Sequence, residues 1–205
     1  MDDDDPRAIE LETITAIYPE LQVDEKDPFT VFIDIPVSLD SPLAVYFPAS
    51  GVGAPVASLR DVVEPLPTAA VDSQALSNLP PLQVRITLPA GYPQDKPPVA
   101  TVTTSPPWLG AEITRKLEND AERLWDEIGR DQVIFTYIDD LQQSTADIFG
   151  LASSKGVLEV SPEHKIAILD YDNAAKRRAF ERGTFDCGIC LGRSCILLLR
   201  PDSDF

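Results

Sequence analysis

From Phe29 to Val37 the chain alternates, with Phe29, Val31, Ile33 and Ile35 set between Thr30, Phe32 and Asp34. That period of two predicts a half-buried strand. Leu43 to Phe47 predicts a second strand, and Leu82, Val84, Ile86 and Leu88 a third with one apolar face. Val99 to Thr103 predicts a short fourth. Helical spacing holds elsewhere. Asp5-Pro6 pairs an N-cap residue with proline at the first helical position, and the helix should run to Tyr18-Pro19. Ile9, Ile14 and Ile17 fall near one face of it, with Leu11 beside them. Ile113, Leu117, Leu124 and Ile128 form a later helical stripe, with Glu118, Asp120, Glu122 and Asp126 largely outside it and Gly129 as its stop. A further helix is expected over 131–149, with Val133, Ile134, Tyr137, Ile138 and Leu141 inward.

Helix, four strands, two helices: this order implies an α+β fold, a four-stranded antiparallel meander covered by helices on one face. Residues 48–81 are rich in Ala, Pro, Ser and Gly and weak in periodicity, so they are expected to form a flexible surface insertion. Ser153-Ser154-Lys155-Gly156 reads as a linker. Another helix is expected from Ser161-Pro162 to Gly183, with its basic run Lys176-Arg177-Arg178 in the C-terminal half. The expected organisation is a domain over 1–150, a linker with one helix over 151–183, and a separate beginning over 184–205.

Charge sharpens this division. Residues 1–150 hold 26 Asp and Glu against 9 Lys and Arg, whereas 151–205 hold 8 of each. The whole net charge of −17 therefore lies in the first part. Such a domain repels phosphate, so a nucleic-acid partner is not expected. It is either a plain solvated acidic surface or one that steers a basic protein. The acidic start Met1-Asp2-Asp3-Asp4-Asp5 is unlike a secretory signal, and Ile196-Leu197-Leu198-Leu199 is too short to cross a membrane. All three cysteines lie at one end, unlike a secreted disulfide framework. The expected compartment is cytoplasmic or nuclear, with no membrane association.

Cys187 and Cys190 stand in the run Phe185-Asp186-Cys187-Gly188-Ile189-Cys190-Leu191. Two thiolates at this spacing can supply half of a tetrahedral zinc site. Cys195 and the lone His164 do not complete it by spacing. The simpler alternative is that all three cysteines are free thiols.

Four segments in order carry a family resemblance. Leu11-Glu12-Thr13-Ile14-Thr15-Ala16-Ile17-Tyr18-Pro19 resembles the opening helix of RWD domains, and Tyr92-Pro93-Gln94-Asp95-Lys96-Pro97-Pro98 their YPxxxPP signature. The stretch from Trp108-Leu109 through Leu124-Trp125 to Val133-Ile134-Phe135 resembles the RWD region of RING-between-RING ubiquitin ligases. Ile168-Leu169-Asp170-Tyr171-Asp172 and the Cys187–Cys190 run continue that match.

The resemblance implies an RWD fold, related to that of ubiquitin-conjugating enzymes, followed by the start of a first RING. It implies a protein-interaction module recruiting partners to a ligase, with a ubiquitin-conjugating enzyme engaged in the full-length context. Zinc is implied at Cys187 and Cys190, sharing ligands beyond residue 205, so the chain is expected to be truncated at that RING. Cys195 departs from the family pattern. The alternative is a stand-alone RWD adaptor. Conjugating activity is rejected on the residues: thioester chemistry needs a thiolate, and Thr103 to Gly110, after the fourth strand, contains no Cys, His or Asn. No cysteine precedes Cys187. The chain alone is expected to be inactive. Tyr92 is expected to bury its ring and bond backbone through its hydroxyl, so that the YPxxxPP segment acts as a rigid turn.

Overall fold

A computed structural model describes residues 5–48, 72–146 and 158–182. Helix α1 (Pro6–Ile17) opens it, with the Asp5 carboxylate accepting the Arg7 N–H at 2.9 Å as N-cap. A short β1 (Gln22–Val23) leads into two long strands, β2 (Thr30–Phe47) and β3 (Asp72–Thr87), and then β4 (Val99–Thr104). These pair antiparallel in the order β1-β2-β3-β4. Helices α2 (Ala111–Glu127) and α3 (Ile134–Ala146) follow. A two-residue β5 (Leu158–Glu159) pairs parallel with β2 at Val45 and Tyr46. A 3-10 turn at Pro162–His164 then runs into α4 (Lys165–Arg182).

The α+β meander is therefore present, built from different pieces than the pattern suggested. The two strands expected at 29–37 and 43–47 are one strand. Its register slips between Ser38 and Leu43, where β2 carries three more residues than β3. Residues 72–81, expected within the flexible insertion, are the first half of β3, and Leu76 and Leu79 are buried there. Pro80-Pro81 hid this. Between the pairs Ile35↔Leu82 and Val37↔Leu79, β3 has one extra residue, a bulge of the kind in which a sheet tolerates proline. The remainder of the insertion, 49–71, lies outside the described residues, as do the expected linker 153–156 and Gly183.

Val31, Ile33, Ile35, Val84, Ile86 and Val102 turn one face of the sheet to the helices. Val133, Ile134, Tyr137, Ile138 and Leu141 are fully buried, as the stripe predicts. Helix α2 ends as its glycine requires. Gly129 sits at φ +89°, and the Arg130 N–H bonds back to the Trp125 carbonyl at 2.9 Å. Its Glu118 accepts the Val102 N–H at 3.0 Å, so α2 covers the free edge of β4.

Three expectations about facing are corrected. Leu11 and Ile14 form the buried stripe of α1 together with Glu10, while Ile9 and Ile17 are exposed. Ile128 is exposed because the helix unwinds there into the Gly129 turn. Asp120 is buried, sheltered by its ion pair with Arg123 at 2.8 Å.

Candidate functional site

The YPxxxPP turn is where α1, α2 and α3 are held together. Gly91 takes φ +98°, open to glycine at no steric cost, and turns the chain into Tyr92. The Tyr92 ring is buried and its hydroxyl accepts the Val133 N–H at 2.9 Å. One residue on, the Ile134 N–H donates to Glu10 Oε1 at 2.8 Å. Two free donors at the start of α3 are thus satisfied by side chains from two other elements. The Trp125 indole N–H donates to the Pro93 carbonyl at 2.6 Å, tying α2 to the same turn. Burial pushes the Glu10 carboxyl above its ordinary range, opposed by the Ile134 N–H, the Tyr92 hydroxyl and the Val133 N–H. Burial likewise pushes the Tyr92 phenol upward, and the Glu10 charge adds to it. These groups are structural, and the Tyr92 ring is buried with its hydroxyl bonded to backbone, as the sequence implied.

After β4, where a conjugating enzyme would need its nucleophile, Trp108 is buried and its indole N–H donates to the Pro80 carbonyl at 3.1 Å. A shallow depression beside this loop is lined by Thr103, Thr104, Pro107, Leu109, Thr114 and Glu118 among others. None of these is a thiol, an imidazole or a carboxamide.

Helix α4 was expected to belong to a linker, but it packs against β3. Ile168 is buried, and one turn later so is Asp172. Asp172 Oδ1 accepts from the Asn78 N–H at 2.9 Å, the Asn78 side-chain amide at 3.0 Å and the Ser77 N–H at 3.1 Å. Its other oxygen pairs with Lys176 at 2.6 Å. These contacts fall where the β2–β3 ladder is irregular. Burial acts to raise the Asp172 carboxyl, but Lys176, Asn78 and Ser77 outweigh it and hold it below the ordinary range. Lys165 also pairs with Asp72 at the start of β3.

Neither Glu10 nor Asp172 was singled out from the sequence. The signal was present: each stands four residues from an apolar residue of its own helix, Ile14 and Ile168, and so shares the buried face. A carboxylate there needs donors.

The predicted zinc ligands Cys187 and Cys190, with Cys195, lie outside the described residues. Among the described residues no three Cys, His, Asp or Glu side chains cluster in a way that could hold a metal. His164 sits in the 3-10 turn, its Nε2 at 3.4 Å from Glu163. Among the described residues no helix is long and apolar enough to cross a membrane.

The sheet face turned away from the helices forms an open groove of about 600 Å³. Gln22, Phe32, Arg85 and Thr101 cross it as one row of strand partners, and Asp34, Gln83 and Thr103 as the next. It mixes polar and apolar surface, with the Arg85 guanidinium 5.8 Å from the Phe32 ring.

Residues 5–145 match the model of the RWD domain. The chain belongs to the RWD family. The chain is similar to two curated proteins. One is the E3 ubiquitin-protein ligase RNF14 of Danio rerio, 28% identical over 162 residues, which is 60% of this chain and 35% of that protein. The other is the E3 ubiquitin-protein ligase itt1 of Schizosaccharomyces pombe, 26% identical over 197 residues, 94% of this chain and 41% of that protein. The chain thus spans well under half the length of either relative. No solved structure matches it.

Proposed function

We propose that this chain is the protein-recruiting N-terminal region of a RING-between-RING E3 ubiquitin-protein ligase. The observation that carries the reading is the extent of similarity. The match to the itt1 ligase covers 94% of the chain, whereas the RWD domain ends at 145. The likeness therefore continues through α4, which a stand-alone adaptor would not require. The docking of α4 supports it further, because a helix latched to β3 through Asp172 gives whatever follows residue 182 a defined starting position.

In this reading the RWD body binds without chemistry, because the first thiol of the sequence is Cys187. Cys187 and Cys190 are the first two ligands of a zinc site whose remaining ligands come from further sequence. Bound zinc would fix the beginning of a RING that engages a ubiquitin-conjugating enzyme. The two thiolates fit the soft-donor half of such a site.

Reconstituted ubiquitin transfer tests this. With activating enzyme, conjugating enzymes, ubiquitin and ATP, the 205-residue chain should form no thiol-sensitive ubiquitin adduct. The chain extended by the sequence encoded downstream should ubiquitinate the proteins that the RWD body captures. Removing the RWD body should abolish that modification while leaving self-modification. Captured proteins that are never modified by the extended chain would make this an adaptor instead.

A further inference from the structure

Three apolar residues stand at the rim of the core on the helical side: Ile17 and Phe135 are exposed, and Tyr18 is half-buried against the core. Glu10 and Ile17 are seven residues apart in α1, so they project to the same side. Glu10 reaches the Ile134 N–H, so that side faces α3. Ile17 is nevertheless 48% exposed. Next to it, the Tyr18 ring meets the ring of Phe135 with centroids 6.4 Å apart and planes tilted by 33°. Phe135 is 49% exposed although its neighbour Ile134 is fully buried. A single exposed apolar residue needs no explanation, but an exposed ring paired with a second ring, next in sequence to an exposed aliphatic residue, fits an interaction site.

Charge identifies the occupant. Asp139 lies one turn beyond Phe135 on α3, and Glu20 lies two residues beyond Tyr18. Together with burial, these two carboxylates push the Tyr18 phenol upward, so their field falls on the ring pair. The cluster has an apolar centre and an acidic rim, within a region that carries the whole net charge of −17. The acidic RWD body of a second copy would set acid against acid, and a nucleic acid would set phosphate against acid; both are repulsive. The complement is a helix or strand with apolar anchors flanked by Lys and Arg.

We infer that Ile17, Tyr18 and Phe135, rimmed by Glu20 and Asp139, dock a basic amphipathic segment of a partner protein. This rests on the protein-recruiting reading above and gives it a location and a partner chemistry.

The test uses the 205-residue chain and a fluorescein-labelled helical peptide of Leu and Lys at amphipathic spacing, followed by anisotropy. Binding should weaken about tenfold for Phe135→Ala and comparably for Ile17→Ala. Asp139→Asn should weaken it at low salt and flatten its salt dependence. Glu112→Gln, on the helix that covers the far strand β4, should leave affinity unchanged. Unaltered melting temperatures show that each variant is folded. Equal binding by Phe135→Ala, or equal binding of a Leu and Glu peptide, would overturn the proposal. So would a concentration-dependent dimer that Phe135→Ala dissolves while the peptide stays unbound. Failure here is separable from failure of the ligase reading. If Phe135→Ala still captures the substrates that the extended chain modifies, the surface is wrong and recruitment stands. If the peptide binds as expected and no captured protein is modified, the surface stands and the ligase role falls.

Discussion

The Asp172 carboxylate on α4 accepts both the backbone N–H of Asn78, at 2.9 Å, and its side-chain amide, at 3.0 Å. A helix after the RWD body is thereby bonded to β3 at the point where its pairing with β2 slips.

Asp172→Ala should release α4. Hydrogen bonds from a buried charged group contribute roughly 1.5–3 kcal/mol, so a loss of that size is expected in urea unfolding. Amide exchange should accelerate at Ser77, Asn78 and along α4. Lys176→Ala should cost no more than about 1 kcal/mol, because its side chain is half exposed. The Asp172 carboxyl is held below its unfolded value, so its contribution is present above the ordinary Asp range. It disappears as pH falls through the lowered folded value. Unchanged exchange in Asp172→Ala would mean that Ile168 and the Lys165–Asp72 pair hold the helix without it.

Tyr92→Phe should destabilise the RWD body by about 1–3 kcal/mol while leaving the ring packed, because the Val133 N–H loses its acceptor inside the protein. Thermal melting gives the magnitude. A loss confined to a few tenths would show that Val133 finds another acceptor.

Glu10→Gln should alter the pH dependence of stability in the opposite sense to Asp172. Burial raises the folded value of the Glu10 carboxyl, so ionising it costs stability. That cost grows as pH rises from the ordinary Glu range through the raised value. The amide carries no such term and keeps an oxygen for the Ile134 N–H. Relative to the parent, Glu10→Gln should therefore become more stable with rising pH. A difference independent of pH would show that Glu10 has an ordinary carboxyl.

Zinc added to the 205-residue chain should bind below one equivalent and be removed readily by chelator, since Cys187 and Cys190 supply only two good ligands. Chelation should not move the melting of the RWD body. One zinc per chain that resists chelator would make residues 184–205 a zinc motif in their own right.

Local patterns were the legible part of the sequence. Asp5-Pro6 announced the start of α1, Gly129 the end of α2, and the spacing of Val133, Ile134, Tyr137, Ile138 and Leu141 the inward face of α3. The Tyr92 turn was also legible, because proline fixes φ and glycine permits the left-handed bend at Gly91, and a buried phenol needs a hydrogen-bond partner whose identity the turn does not give. The strand over 72–81 was not. Pro80-Pro81 looked like a strand's end, and only the partner Ile35–Val37 turns those prolines into a bulge.

What the sequence by itself determined is the kind of most elements, the α+β class, the absence of a thiol before Cys187 and the acidity of the first 150 residues. Each of these depends on residues close together in the chain or on composition. Tertiary structure decided which long-range partner each buried polar group found. Glu10 reaches across 124 residues to Ile134, and Asp172 across 94 to Asn78. It also decided that Ile17 and Phe135 are both left exposed, since a helix of period 3.6 offers several apolar faces and packing selects one. A carboxylate on a buried stripe signals that donors must exist, but their identity depends on the path of the backbone, which no local pattern contains.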